Sequence, residues 1–276
     1  MTSIDQNNSR NHSSNQQNQV AMVVVPFPAQ GHLNQLLHLI LSNNIPVHYV
    51  GTSTHNRQAT IRVHGWDPNS ISNIHFHNFK VPPFVSHPPT PNSEIKFPSH
   101  LVPSFVASTH LRQPVAELMQ SLSSVFKRVI VIHDGLMASV VQDATKIANV
   151  ENYLFMSTCA FTYFFHIWEK VGKFIPIESS HIIDTPSLEG CFTTEFIDFI
   201  TAQVEFYEFS DGTFYNTSRA IESPYLELIE KIISSKKHWA IGPFNPLTIE
   251  KKDSKGRHSC IECYSYFDGR RWSFSY

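Results

Sequence analysis

The order of elements along this chain predicts an α/β fold, a Rossmann-like doubly wound parallel sheet, on three observations. Short continuous apolar runs, such as Val20-Ala21-Met22-Val23-Val24-Val25 and Val129-Ile130-Val131-Ile132, have the character of strands buried on both faces. Segments with apolar residues at helical spacing alternate with these runs. Turn signals separate the two kinds, among them Pro26-Phe27-Pro28 after the first run and His133-Asp134-Gly135 after the second. Such alternation calls for right-handed crossovers.

Residues 1–19 are nearly all Asn, Gln, Ser and similar polar types, with too little apolar surface to offset the entropy of ordering them, and are expected to form a disordered leader. The first strand follows, and Leu33, Leu36, Leu37 and Ile40 then place a helix over Leu33 to Ser42. Pro46 to Val50 reads as a second strand, and Ile74, Phe76 and Phe79 mark a third. Residues 81–103 are a proline-rich loop of the kind that carries function on a rigid sheet. An amphipathic helix runs from Leu111 to Phe126, bent by Pro114. After the strand Val129 to Ile132 come a helix over residues 137–148, a strand from Asn152 to Met156, and an aromatic helix from Ser157 to Trp168. Its stripe of Phe161, Tyr163, Phe164, Phe165 and Trp168 suits core better than a ligand wall. Strands at Thr213 to Asn216 and His238 to Ile241 flank a helix from Tyr225 to Ile233. The domain is therefore placed at residues 20–247, and the polar residues from Thr248 onward read as a linker and tail, 248–276.

Composition excludes several function classes. With Lys+Arg 21 against Asp+Glu 23, the net charge of -2 offers no grip on a polyanion, so nucleic acid is not an expected partner. No apolar run reaches the ~20 residues of a membrane span. Four cysteines among 276 residues are too sparse for a disulfide framework, which points to a reducing, cytoplasmic setting. Sequons begin at Asn7, Asn11 and Asn216, and without a secretory signal they are expected to be unmodified. Cys260 and Cys263 form an isolated C-x-x-C, read as incidental, and no metal site is expected. G-x-G-x-x-G, Walker, H-E-x-x-H and G-x-S-x-G motifs are absent.

Chemistry in an open parallel sheet gathers beyond the carboxyl ends of the strands. His32 lies just after the first strand, and Asp134 directly follows Val129 to Ile132. If the strands are close, the carboxylate can fix one tautomer of the imidazole and leave the other nitrogen to take a proton. Contact at about 2.6–3.2 Å and a raised histidine pKa are then expected. With 16 histidines in the chain, chance co-location is the competing reading.

The stretch Val23-Val24-Val25-Pro26-Phe27-Pro28-Ala29-Gln30-Gly31-His32-Leu33-Asn34-Gln35 resembles the opening of plant UDP-dependent glycosyltransferases. Ile132-His133-Asp134-Gly135-Leu136-Met137-Ala138-Ser139, Phe214-Tyr215-Asn216-Thr217-Ser218-Arg219-Ala220-Ile221-Glu222 and Trp239-Ala240-Ile241-Gly242-Pro243 agree with it. Ile45 to Thr52 and Pro186 to Phe192 look most like the zeatin O-glycosyltransferases within that family. The resemblance implies the N-terminal, acceptor-binding domain of a GT-B enzyme. It implies an inverting, metal-free transfer from UDP-glucose or UDP-xylose, a co-substrate rather than a cofactor, to a small hydroxylated acceptor, a cytokinin such as zeatin. His32 matches the family's base and Asp134 its partner; Gln30, Gly31, Ser157 and His166 match substrate-binding positions. Three departures stand out. The C-terminal signatures of the family are absent, so the UDP-sugar site is expected to be largely missing and the chain to be a truncated, inactive form. The first helix is about one turn short, which threatens the placement of His32. Cys260 to Tyr276 resembles nothing in the family and reads as an aberrant tail. A non-catalytic module that binds a small ligand or a partner is the alternative.

Overall fold

The computed structural model describes residues 19–40, 45–62, 72–89, 97–170, 190–244, 247–252 and 258–263. Residues 1–18, with Asn7 and Asn11, lie outside the described residues, as do residues 41–42, 90–96 and 264–276. In chain order the main elements are β1 (Val20–Val25), α1 (Gln30–Leu39), β2 (Val47–Gly51), α2 (Ser53–Arg62), β3 (Ile74–Asn78), α3 (Val102–Ser108) and α4 (Arg112–Val125). They continue with β4 (Arg128–Asp134), β5 (Val150–Met156), α5 (Ala160–Lys170), α6 (Thr194–Val204), β6 (Gly212–Tyr215), α7 (Arg219–Ile232) and β7 (Lys237–Ala240). A short pair, β8 (Leu247–Lys252) and β9 (His258–Cys263), follows.

Seven strands form one sheet in the order β3-β2-β1-β4-β5-β6-β7, and every neighbouring pair is parallel. The order runs outward from β1 toward β3 and then restarts on its other side at β4, so β1 and β4 flank the switch point where the crevice of such sheets opens. Their ladder is six residues long, from Val20 opposite Arg128 to Val25 opposite His133.

Both faces of the central strands are covered, which is why those strands read as unbroken apolar runs. Val23, Val25, Val129 and Val131 pack with Phe105, Val115, Met119, Phe196 and Phe199 from α3, α4 and α6. The intervening residues Met22, Val24, Ile130 and Ile132 pack with Leu33, Leu36 and Leu37 of α1 and with Tyr49. Each fully buried aliphatic side chain of this kind contributes roughly 1.5–3 kcal/mol. A third cluster joins Leu154, Met156 and Tyr215 to Phe164 of α5 and to Leu226 and Ile229 of α7, so much of the aromatic helix is core. Tyr153, Phe214 and Trp239 meet at half-buried positions of β5, β6 and β7, Tyr153 stacked on Phe214 and edge-on to Trp239.

The structure departs from the sequence expectations in several places. Pro114 does not bend a helix interior: α4 begins at Arg112, so Pro114 falls in its first turn, where an N–H has no intrahelical partner anyway. A 3-10 turn, Thr109–Leu111, joins α4 to a separate helix, α3. Where spacing predicts one helix over 137–148, the chain makes two 3-10 segments, Gly135–Val140 and Gln142–Lys146, with Met137 at non-helical φ/ψ. There the Ser139 N–H donates to the buried side chain of Gln203 instead of continuing a helix. Finally, residues 248–252, expected as linker, continue from Leu247 as a strand that pairs with 258–263 in an antiparallel two-stranded sheet apart from the main one.

Candidate active site

Three sequence-distant side chains meet at the carboxyl ends of β1, β4 and β5. Pro26 and Pro28 end β1 and Ala29 starts α1, which places His32 in the first turn of the helix. Tyr49 of β2 fixes that turn, donating its buried hydroxyl to the Leu33 carbonyl at 2.9 Å. Burial, reinforced by the nearby charge of Asp134, keeps this phenol protonated well above its ordinary range. Asp134 closes β4 and is 1% exposed. Its Oδ1 accepts from the Leu136 N–H at 2.9 Å, so the carboxylate is held from both ends.

Nδ1 of His32 lies 2.7 Å from Asp134 Oδ2 and 2.9 Å from Ser157 Oγ. A carboxylate only accepts, so the Nδ1 proton is donated to Asp134 and the serine oxygen shares the same N–H. Nε2 is left with its lone pair, and the His32 side chain is about a quarter exposed (24%). Burial alone lowers the histidine pKa, but the charge and the hydrogen bond of Asp134 outweigh it and the net shift is upward. The first helix runs from Gln30 to Leu39, and residues 41–42 of its expected span lie outside the described residues. His32 stands against Asp134 because the contact depends on the first turn of that helix and on the β1/β4 ladder.

The other expected positions are distributed around this centre. Gln30 donates from its amide to Asn34 within α1 at 2.9 Å. Gly31 is exposed, with nothing within 4 Å of where a Cβ would stand. His166 sits half-buried on α5, about 9 Å of axial rise beyond Ala160. The structure thus brings His32, Asp134 and Ser157 together, sets Gln30 and Gly31 in the same turn as His32, and places His166 farther along a neighbouring helix.

Sequence reading missed the aromatic surround. Phe27 meets the His32 ring edge-on at 5.0 Å and continues into Phe105 and Phe199, with Phe196 and Phe97 stacked beyond. The signal was present in Phe196 and Phe199, which share one face of α6 behind the capping residue Thr193. Glu222 was also missed; its buried carboxylate accepts from the N–H groups of Ala160 and Phe161 at 2.9 and 3.1 Å. Among the described residues, no group of three or more His, Cys, Asp or Glu is arranged to hold a metal. The side-chain oxygen of Asn216 accepts from the Phe244 N–H at 2.7 Å.

A parallel doubly wound sheet with a histidine–carboxylate pair at the carboxyl ends of β1 and β4 defines an α/β domain of the doubly wound class. Comparison with known proteins then places it. The chain belongs to the glycosyltransferase family described as "Glycosyltransferase, N-terminal domain", which matches residues 18–246. It is 59% identical over 247 residues to the zeatin O-glucosyltransferase of Phaseolus lunatus, covering 88% of this chain and 52% of that protein. It is 54% identical over 252 residues to the zeatin O-xylosyltransferase of Phaseolus vulgaris, covering 90% and 54%. The chain therefore spans about half the length of the curated relatives it matches. The crystal structure of Glycyrrhiza uralensis UGT73P12 superimposes with a TM-score of 0.59 at 16% identity, over 82% of this chain and 49% of that one. That similarity fixes the fold as the N-terminal domain of the GT-B architecture.

Proposed function

We propose that this chain is the acceptor-binding, base-carrying half of a UDP-sugar-dependent O-glycosyltransferase whose acceptor is a small hydroxylated molecule of the zeatin type. The observation that carries the reading is the 2.7 Å contact of His32 Nδ1 with Asp134 Oδ2, which in the neutral ring leaves Nε2 unprotonated. In the proposed step, Nε2 takes the proton of the acceptor hydroxyl as its oxygen attacks the anomeric carbon of the sugar. The bond to UDP breaks, and UDP leaves with the bonding pair. Attack from the face opposite the leaving group inverts the anomeric centre. Asp134 stabilises the imidazolium formed, and Ser157 helps to hold the ring. Phe27, with Phe105 and Phe199 behind it, gives the site an apolar side suited to a flat aromatic acceptor. No metal takes part in this scheme.

Groups that bind UDP and stabilise its departing charge belong, in this reading, to the half of the relatives that the chain does not span. The 276 residues alone are therefore inactive, because that electrostatic contribution is usually the largest single one. A cytosolic setting completes the proposal, in keeping with only four cysteines among 276 residues.

The test joins this chain to the complementary half of the Phaseolus lunatus relative and supplies UDP-glucose and zeatin. Transfer is expected in the fusion and not in the chain alone. His32→Ala should lower it about 10²–10⁴-fold, the range of a positioned general base. Transfer undiminished by that substitution refutes the reading.

A further inference from the structure

Helix α5 starts at a site without a good local cap. Its N-cap position is Cys159, whose carbonyl accepts the first intrahelical bond from Tyr163 N, and a thiol is a poor substitute for the Ser, Thr, Asp or Asn that normally bonds the first-turn N–H groups. The Cys159 sulfur lies instead 3.1 Å from the Thr162 hydroxyl. Two residues earlier stands a serine, but the Ser157 hydroxyl is committed to His32. The first two N–H groups of the helix, from Ala160 and Phe161, are taken by both carboxylate oxygens of Glu222, which reaches across from α7.

Glu222 is 8% exposed. A carboxylate so buried needs compensation, and here two N–H donors and the positive end of a helix supply it. Its own helix gives way at that point: Glu222 has φ -126° and ψ 26°, two residues before Pro224, whose ring cannot follow a regular turn. The segment Asn216-Thr217-Ser218-Arg219-Ala220-Ile221-Glu222 thus ends on a residue whose contacts lie in a different helix. Only Ser157, Thr158 and Cys159 connect the end of β5 to the turn that Glu222 clamps.

We propose that Glu222 is a positioning residue for the His32 site: by capping α5 from α7 it fixes the β5–α5 turn, and so leaves the Ser157 hydroxyl free to meet His32 Nδ1. The functional meaning of this rests on His32 being the base, whereas the linkage between Glu222 and His32 can be measured without any transfer reaction.

The experiment follows the side-chain ¹⁵N and ¹³C resonances of His32 in the full 276-residue chain, at a pH where the ring is neutral. Ser157→Ala should move the Nδ1 resonance by removing the shared contact. Glu222→Gln, which keeps one acceptor oxygen, should move it in the same direction and by less than Glu222→Ala does. Ser157→Ala/Glu222→Ala should move it no further than Ser157→Ala alone, since both changes break the same link. An unmoved resonance in Glu222→Gln, or additive shifts in the double variant, overturns the proposal. Should the variants that carry Glu222→Ala fail to fold, Glu222→Gln, Ser157→Ala and Ser157→Ala/Glu222→Gln carry the same comparison. If the linkage holds but transfer in the fusion survives His32→Ala, the base reading falls and the positioning role stands.

Discussion

Acid should destabilise this domain through one histidine that takes no part in the proposed chemistry. His133, one residue before Asp134, is 1% exposed. Its Nδ1–H donates to the Asp134 carbonyl at 2.9 Å, while its Nε2 is buried without a hydrogen-bond partner among the described residues. Burial pushes its pKa from 6.5 down to about 4, more than the Asp134 carbonyl and charge restore. The unfolded chain therefore binds the proton more readily than the folded one, and stability falls as pH drops from about 6.5 toward about 4. At ~1.36 kcal/mol per pKa unit the full loss is roughly 3 kcal/mol, of which roughly 2 kcal/mol is reached by pH 5. His133→Asn keeps an N–H donor for the carbonyl and cannot titrate. Urea unfolding followed by circular dichroism at pH 7 and pH 5 should show the wild-type chain losing roughly 2 kcal/mol more than the variant. His48, whose pKa is also held down to about 4 by burial and by His77 and His75, is present in both chains and cancels in the comparison. Equal losses in the two chains refute the argument.

The opposite sign is expected at His32, where the folded pKa is raised: the pair with Asp134 stabilises fully below pH 6.5 and loses that contribution as pH rises through the folded value. In Asp134→Asn only burial remains, so the titration of the His32 ring by NMR should move to lower pH; an unchanged titration counts against the pair. Gly242→Ala should be far more damaging than Gly135→Ala. A Cβ at 242 would stand 2.6 and 2.8 Å from the Asn216 backbone, which cannot yield, whereas one at 135 meets the ends of the Tyr207 and Met156 side chains at 2.7 and 3.3 Å. Thermal melts should place Gly135→Ala about 1–3 kcal/mol below wild type and Gly242→Ala beyond that range; the reverse order rules the argument out.

The central strands were legible because burial on both faces removes polar residues from them: Val20 to Val25 and Val129 to Ile132 announce themselves. Helix α2 was not, since Ser53 to Arg62 buries Ala59 and Asn56 and leaves Ile61 71% exposed. Asn56 is there to donate its amide to the His77 carbonyl and the Asn78 side chain, an anchor that carries no hydrophobic period. Residues 137–148 erred the other way. Their apolar period is helical, but Met137, Val140 and Val141 are buried within two tight 3-10 turns. Helix α6 was hidden by Gln203, a polar residue on its buried side whose partner is a backbone N–H 64 residues earlier. In the site, His32 and Asp134 could be named because the positions just after buried strands are countable. Glu222 could not, because its contacts lie 61 and 62 residues away and nothing local signals them.

The distance between His32 and Asp134 is set by Val25 and His133, partners in the ladder of two central strands. Most of the aromatic surround comes from elsewhere: Phe97 from a loop, Phe105 from α3, and Phe196 and Phe199 from α6, three segments outside the sheet. Under the proposed function, reactive geometry and molecular selectivity are thus written in separate parts of the chain. Exchanging the covering segments for those of a relative can re-tailor which guest is admitted while the proton-accepting pair keeps its dimensions, and the inherited variable in a lineage built on this plan is the wall rather than the hinge of the chemistry.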